Sequence, residues 1–570
     1  MIKKRISDLK KLMSHHNLDG YIVPKNDAYF SEYSLPDRLK IISNFSGSAG
    51  FAIILKNKNY LFVDGRYTIQ AAIESGKHFE IKEIPKFTAD YLSKKNKKKL
   101  SLGFDPQLFT NSNIKKKFNN TFNLCSVSEN LIDKVFKSKT KKSVELFYFL
   151  NDKITGEKKN SKIKRLLEKM KYNNIDNIFI SAPENVAWLL NIRGKDNPNS
   201  PIPNCKIILT KNKKVFFFSC PKKIKLIKKH KDYKHFTFFT YEDFSNVIKK
   251  LKGKNFCIDS STCSIFNEKI IRNLFHIKLN VDPCYLLKSI KNKTELKHMT
   301  NAHIEDGLAL TKFIYWIKNK KKKRITEVDA QNKLQSLRKL NKNYLFPSFN
   351  TIAGTGSNGA IVHYRAKIKH TKIIQNKDIF LCDSGGQYSY GTTDVTRTIC
   401  FSNQTKDIKN IYTKVLKGHI AVAQTNLRSA KTGKQIDVRA RKFLKKDKLD
   451  YAHGTGHGVG FFLNVHEGPQ SISKFNSVPL KEGMVLSNEP GYYKKGNYGI
   501  RIENLVYIKK IKENLHFENL TLAPLEKDLI NYDLLNEGEK DYLFKYHLKI
   551  YSTYSKLLNL NERKWLASLI

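Results

Sequence analysis

The stretch HGTGHGVGFFLNVHEGP, residues 453–469, carries three histidines and five glycines in seventeen positions. Glycine at every second position from 454 to 460 makes a regular helix costly, so His453 and His457 are not expected to share a helical face. The HExxH pattern, which sets two zinc-binding histidines on one helix, is absent. A metal site built on this stretch therefore needs ligands from elsewhere, and four acidic residues nearby stand out from apolar surroundings. IFLCDSGG (379–386) is an apolar run leading to Asp383, and GTTDVTRTICF (391–401) is a β-branched run carrying Asp394. The QYSYG segment between them predicts a hairpin. MVLSNEPGYY (484–493) carries Glu489 and YGIRIENLVYI (498–508) carries Glu503, with KKGN as the turn that joins two predicted strands. Strands rich in Val, Ile, Leu and Phe do not bury carboxylates without compensation, because an unpaired buried charge is strongly destabilising. One imidazole with four carboxylates is a hard, oxygen-rich set that suits two divalent ions, Mn²⁺ ahead of structural zinc. Isolated candidates such as Cys382 and His370 are read as packing and surface.

The rest of the chain sets the frame. At 570 residues it exceeds one ordinary core and predicts three domains. With 40% hydrophobic and 11% aromatic residues it is able to fill them. No apolar run is long enough to span a bilayer, and the basic start MIKKRISDLKK has no apolar segment behind it, so neither membrane insertion nor export is expected. The eight cysteines are scattered without a CxxC pair, which fits reduced thiols in the cytoplasm. The net charge of +53 would suit a polyanion partner. Yet the basic runs 94–100, 222–231 and 318–324 lie far apart, and no nucleic-acid-binding module accompanies them. They are read as solvated faces, with nucleic acid not expected as a partner.

The first half contains a duplication. Ile6, Leu9 and Met13 precede LDGYIV (18–23), and Ile163, Leu166 and Met170 precede IDNIFI (175–180), in identical register 157 residues apart. Each copy predicts an amphipathic helix packed on a buried strand, and hence two related α/β domains in tandem. The lysine-rich segment 137–160 is taken as the first boundary and the region 281–299 as the second. The expected domains are 1–152, 153–286 and 287–570.

Together the motifs carry a resemblance. DSGGQYSYGTTDVTRT, HGTGHGVGFFLNVHEGPQ, SNEPGYY and GIRIEN, in this order and spacing, resemble the cytosolic three-domain aminopeptidase P family, Xaa-Pro aminopeptidases with the pita-bread metallopeptidase fold. RLKIISNFSGSAGFAIIL, LFVDGRYTIQA and NVAWLLNIRG are similar to its two leading creatinase-like domains, so the likeness covers nearly the whole chain. The resemblance implies an α/β (α+β) protein, two creatinase-like domains followed by a pita-bread domain. It implies Asp383, Asp394, His457, Glu489 and Glu503 as ligands of two metal ions, with Asp394 and Glu503 shared between them. His363, His453 and His466 match the family's substrate-side histidines, Glu489 a proton shuttle, and Arg501 the arginine beside the bridging glutamate. Arg501 and Glu503, two apart on a predicted strand, are expected to face the same way. Tyr493 is placed with His363 around the substrate proline. Phe461 stands where many relatives carry a small residue and is read as core filling.

The implied reaction is hydrolysis of the bond between an N-terminal residue and a following proline, by a cytoplasmic homodimer. Two alternatives remain at this level: a prolidase acting on dipeptides, and a catalytically silent pita-bread protein that binds a partner. The two leading domains and the wording of the histidine motifs favour the first reading over prolidase, and the intact ligand set favours it over the silent relatives.

Overall fold

The computed structural model describes residues 2–32, 35–84, 86, 91–92, 99–118, 121–136, 147–319 and 324–570. Residues 94–98 and 320–323 of two basic runs, and 137–146 of the first lysine-rich segment, lie outside the described residues. The chain forms two compact units, residues 1–151 with 157–285, and residues 152–156 with 286–570.

The duplication is visible in the first unit as two six-stranded sheets. Helix α1 (Ile2–His15) buries Ile6, Leu9 and Met13. The first sheet has strands β1 (Gly20–Pro24), β2 (Phe51–Leu55), β3 (Asn59–Asp64), β4 (Glu80–Ile84), β5 (Ser101–Phe104) and β6 (Asn123–Ser126), in the order β4-β3-β2-β1-β5-β6. Helix α2 (Lys159–Tyr172) buries Ile163, Leu166 and Met170 at the equivalent turns. The second sheet has β7 (Asn177–Ile180), β8 (Lys206–Thr210), β9 (Val215–Phe218), β10 (Thr237–Phe239), β11 (Asn255–Ile258) and β12 (His276–Leu279), in the order β10-β9-β8-β7-β11-β12. The two orders correspond strand for strand. Even the antiparallel pairs β1–β2 and β7–β8, and the parallel pairs β1–β5 and β7–β11, repeat. Strands β1 and β7 are buried at every position, as expected of central strands covered on both faces.

The second unit opens with the long helix α3 (Lys293–Lys318), started by a reciprocal capping box between Asn292 and Glu295. Strands β13 (Ile352–Thr355), β14 (Ile379–Ser384) and β15 (Val395–Cys400) make one antiparallel sheet. Helices α4 (Lys406–Ala423) and α5 (Gly433–Lys445) follow. A five-stranded sheet then takes β16 (Gly456–Gly458), β17 (Glu467–Ile472), β18 (Val485–Asn488), β21 (Asn504–Ile511) and β22 (Asn514–Asn519). Between β18 and β21 the chain leaves this sheet for a two-stranded ribbon, β19 (Gly491–Lys494) with β20 (Tyr498–Arg501).

Two expectations need correction. The segment joining β14 to β15 is not a plain turn: 386–388 and 391–392 pair as a small hairpin that belongs to a separate sheet with Tyr344–Pro347. Moreover, three of the four carboxylates do not lie inside strands. Asp394 immediately precedes β15, Glu489 follows β18, and Glu503 precedes β21. The reason is a change of pairing partner. Asn488 pairs with Asn504 in the five-stranded sheet and Gly491 with Arg501 in the ribbon, so residues 489–490 and 502–503 span the gap. There the Glu503 N–H turns to the Thr396 carbonyl at 3.1 Å and the Glu489 N–H to that of Thr455 at 2.8 Å. The break in the ladder is what lets both side chains converge.

Candidate metal centre

The site is built from these breaks and from the glycine-rich stretch. His457 sits in β16, whose neighbouring glycines are needed for close approach: a Cβ on Gly456 would lie 1.9 Å from the Ser487 carbonyl oxygen, and one on Gly458 2.2 Å from that of Glu467. His457 Nδ1 lies 3.0 Å from the Gly458 carbonyl, which can only accept, so the ring donates there and turns Nε2 away. That Nε2 is 3.4 Å from Asp394 Oδ2 and 3.6 Å from Glu489 Oε1. Asp394, His457 and Glu503 present ligand atoms within 4.8 Å of one another. Thr396 donates to Glu503 Oε2 at 2.8 Å, and Arg501 donates to Asp383 Oδ2 at 2.6 Å.

Asp383, Asp394 and Glu503 are all buried. Four carboxylates here face one guanidinium, Arg501, and the His457 imidazole. Burial raises the Asp383, Glu489 and Glu503 carboxyls above their ordinary range, and the neighbouring carboxylates add to it, strongly for Glu503. Burial lowers the His457 ring, but Asp394 and Glu489 overcome this and hold it up at about 9. Asp383 Oδ1 and Asp394 Oδ1 are buried without a hydrogen-bond partner. Orphaned carboxylate oxygens, several buried carboxyls crowded together and an imidazole whose Nε2 faces Asp394 and Glu489 together fit divalent cations. A second grouping, Cys400 with Glu526 and Asp528, is different in kind. Lys318 Nζ lies 2.6 Å from Glu526 and 2.8 Å from Asp528, so the chain provides its own cation there.

Around the carboxylates lies a set of positioning contacts. His453 Nδ1 donates to the Gly454 carbonyl at 2.8 Å, leaving Nε2 to accept from the Tyr493 hydroxyl at 2.8 Å. Arg501 Nη1 donates to the same hydroxyl at 2.5 Å. This corrects the reading of Arg501: it ends β20 rather than sharing a strand with Glu503, and its hydrogen bonds run to Asp383, Tyr493 and Thr396. The His466 and His457 rings are 4.2 Å apart, edge to face. Arg441 of α5 donates to the carbonyls of Tyr451 and His453, fixing the start of the histidine stretch. His363 lies on the half-buried turn 361–364. The loop leading to it is pinned at Gly359 against Gly499 of β20, where a Cβ on Gly499 would meet the Gly359 carbonyl oxygen at 1.9 Å. Phe461 is buried in a core with Met299, Val459 and Val485, as core filling requires. Cys382 is buried and His370 exposed.

Sequence reasoning missed the residue that holds the break together. Arg397 is buried and donates to the carbonyls of Glu503 (2.6 Å), Thr396, Pro524 and Ala523, to Asn504 Oδ1 and to the Tyr546 hydroxyl. Its signal was an arginine inside DVTRTIC, a run otherwise suited to a buried strand. Asp306 of α3 was missed as well. It pairs with Arg338 and accepts from Tyr388 and Thr393, the latter next to Asp394.

Comparison with known proteins places this architecture. Residues 297–510 match the model of metallopeptidase family M24, and 513–569 that of the C-terminal region of peptidase M24. The creatinase/prolidase N-terminal domain matches twice, at 5–135 and 138–295. A probable Xaa-Pro aminopeptidase P of Laccaria bicolor is 36% identical, covering 99% of this chain and 92% of that protein. Xaa-Pro aminopeptidase 1 of Dictyostelium discoideum is 35% identical, covering 100% and 96%. Among solved structures, an X-prolyl aminopeptidase from Caenorhabditis elegans, described as a cytosolic enzyme with a di-nuclear active site, superimposes with a TM-score of 0.93 at 30% identity, covering 100% of this chain and 99% of that one. A prolidase from Pyrococcus horikoshii reaches a TM-score of 0.52 at 26% identity and accounts for 64% of this chain.

Proposed function

The chain belongs to metallopeptidase family M24, and from that premise we propose that it is an Xaa-Pro aminopeptidase, releasing the N-terminal residue from peptides with proline in second position. The observation that carries this reading is the buried cluster of four carboxylates around His457 Nε2, set in a chain matched from end to end by Xaa-Pro aminopeptidases. Asp383, Asp394, His457, Glu489 and Glu503 would hold two divalent ions, with Mn²⁺ the choice that the hard donor set favours. Asp394 and Glu503 would serve both ions, Asp383 one, and His457 with Glu489 the other. When bound, such ions make water nucleophilic near neutral pH and polarise the scissile carbonyl.

The chain's own residues do the rest. Glu489, whose carboxyl burial raises, accepts a proton at Oε and delivers it to the proline nitrogen, which has no hydrogen of its own and must be protonated to leave. His466 donates from its ring to the carbonyl oxygen as it gains charge. Arg501 holds Asp383 in place through Oδ2, beside which the free amino terminus binds. The Arg501–Tyr493–His453 chain fixes the wall on that side, and His363 lines the proline subsite. We assign three domains, 1–152, 153–286 and 287–570, and expect a cytosolic homodimer that needs neither membrane nor nucleic acid.

The test is hydrolysis of Arg-Pro-Pro and Ala-Pro by chelator-treated protein with and without Mn²⁺. Metal-dependent cleavage between Arg and Pro, faster than dipeptide cleavage, is expected. Preference for Ala-Pro would move the assignment to prolidase. Metal binding without hydrolysis of either would leave a binding role.

A further inference from the structure

One buried charge cluster of the second unit lies beside the metal centre but contributes nothing to its ligand set. Glu467 is buried, although it is the acidic residue nearest His466 in sequence. Lys291 Nζ lies 2.6 Å from its Oε1 and Lys288 Nζ 2.8 Å from its Oε2, and all three side chains are at most 1% exposed. Taking three charges out of water is costly, and an apolar trio of similar volume would pack at least as well. A buried ion trio is weak evidence of added stability, which directs attention to what it holds in place.

The surroundings show what the clamp fixes. Lys288 and Lys291 belong to the segment that precedes α3, and that segment is stitched to the start of β18: the Lys291 N–H donates to Gly483 at 3.0 Å, and Ile290 bridges Met484. Glu467 opens β17, and His466 sits in the bend immediately before it. With Glu467 drawn inward, His466 is turned outward; it is exposed, while Val465 and Glu467 on either side are buried. The glycine stretch packs on the same carboxylate. A Cβ on Gly460 would come within 2.9 Å of Glu467 Oε2, and one on Gly458 within 2.2 Å of the Glu467 carbonyl oxygen. Glu467 thus ties the segment before α3 to the strand bearing His457, and it directly follows His466 in the chain.

We infer that Glu467, clamped by Lys288 and Lys291, is the positioning residue that sets the His466 ring against His457. It acts through His466 and not on the substrate. The proposal rests on the role given to His466 in the reaction above.

The experiment uses the full-length, metal-loaded protein. Lys291→Met is expected to lower kcat about tenfold to a hundredfold with little change in KM and unchanged metal content, the range typical of groups that orient a metal site's residues. In a His466→Ala background the same substitution is expected to cost no further kcat, because its effect passes through the missing ring. Equal losses in both backgrounds would overturn the proposal. Glu467→Gln, which keeps the shape, serves as the second variant should Lys291→Met fold poorly, and it is expected to show the same non-additivity. A readout independent of turnover is the His466 ring resonance in histidine-labelled protein, assigned by its loss in His466→Ala. It is expected to shift in both clamp variants, and an unmoved resonance would refute the clamp even if no peptide is cleaved. Wild-type protein that binds metal and hydrolyses nothing would instead refute the peptidase reading.

Discussion

Buried charge in the second unit is handled in two opposite ways. Around Arg338, Asp306 and Arg397 every charge meets a partner from the chain: Arg338 and Asp306 pair at 2.7 Å, and Arg397 is saturated by carbonyls, an amide and a phenol. Around His457 four carboxylates share one guanidinium, and two of their oxygens remain buried without a hydrogen bond. A fold that satisfies buried charge so thoroughly in one place and leaves it unsatisfied in another has reserved the second for cations from outside. The balanced cluster also supports the unbalanced one, since Arg397 grips the Glu503 carbonyl and Asp306 holds Thr393 beside Asp394.

Four experiments test this contrast. The largest effect is expected on the unbalanced side. Asp394→Asn should abolish binding of at least one ion by calorimetry and reduce peptide cleavage by more than about a thousandfold, roughly 4 kcal/mol of transition-state stabilisation, while the fold by circular dichroism is kept. Retained activity would separate the carboxylate cluster from catalysis. On the balanced side, Arg338→Met leaves Asp306 buried without its cation and should cost about 3–5 kcal/mol of unfolding free energy in urea. Adding Asp306→Leu should recover part of that loss; no recovery would mean that the pair was not balanced to begin with.

The third experiment reads the surroundings of Arg397 through pH. Burial, reinforced by Arg397, lowers the His547 ring to about 4, and its Nε2 accepts from the Leu525 N–H at 3.2 Å. The unfolded chain takes up this proton near pH 6.5 and the folded one only near 4, so the unfolded state binds more protons in between and stability falls as pH drops through that window. The loss from this ring reaches roughly 3 kcal/mol at full titration. His547→Leu should flatten the stability profile between pH 6.5 and 4, and an unchanged slope would dismiss the ring as its source. The smallest effects belong to the duplicated sheets. Ile6→Val and Ile163→Val, at matching places on α1 and α2, should each cost about 1 kcal/mol and leave kcat and metal content as they were. A change in kcat from either would tie the first unit to the chemistry.

Much of this is legible in the sequence alone. The apolar stripes at Ile6, Leu9, Met13 and at Ile163, Leu166, Met170 announced the duplication, because helix burial is written locally at a spacing of three and four. The ligand candidates were legible because carboxylates interrupting apolar runs demand a reason. What the strands concealed was their ends. The sequence places Asp394, Glu489 and Glu503 inside strands, but they occupy the points where the chain changes sheets, and pairing partners are not encoded locally. Arg501 was placed with Glu503 by proximity in sequence, whereas its guanidinium reaches Asp383, 118 positions away.

Local sequence was enough for most elements and the duplication, and it singled out the groups proposed to hold metal, since each follows from side-chain type and short-range spacing. Which buried charges meet a partner emerges only from the fold. Lys288 and Lys291 meet Glu467 across 176 to 179 positions and Arg397 meets the Glu503 carbonyl across 106, whereas the four carboxylates converge with one guanidinium among them. Neutralisation depends on distances of a few ångströms between residues far apart in the chain, and those distances are set by how the sheets are joined.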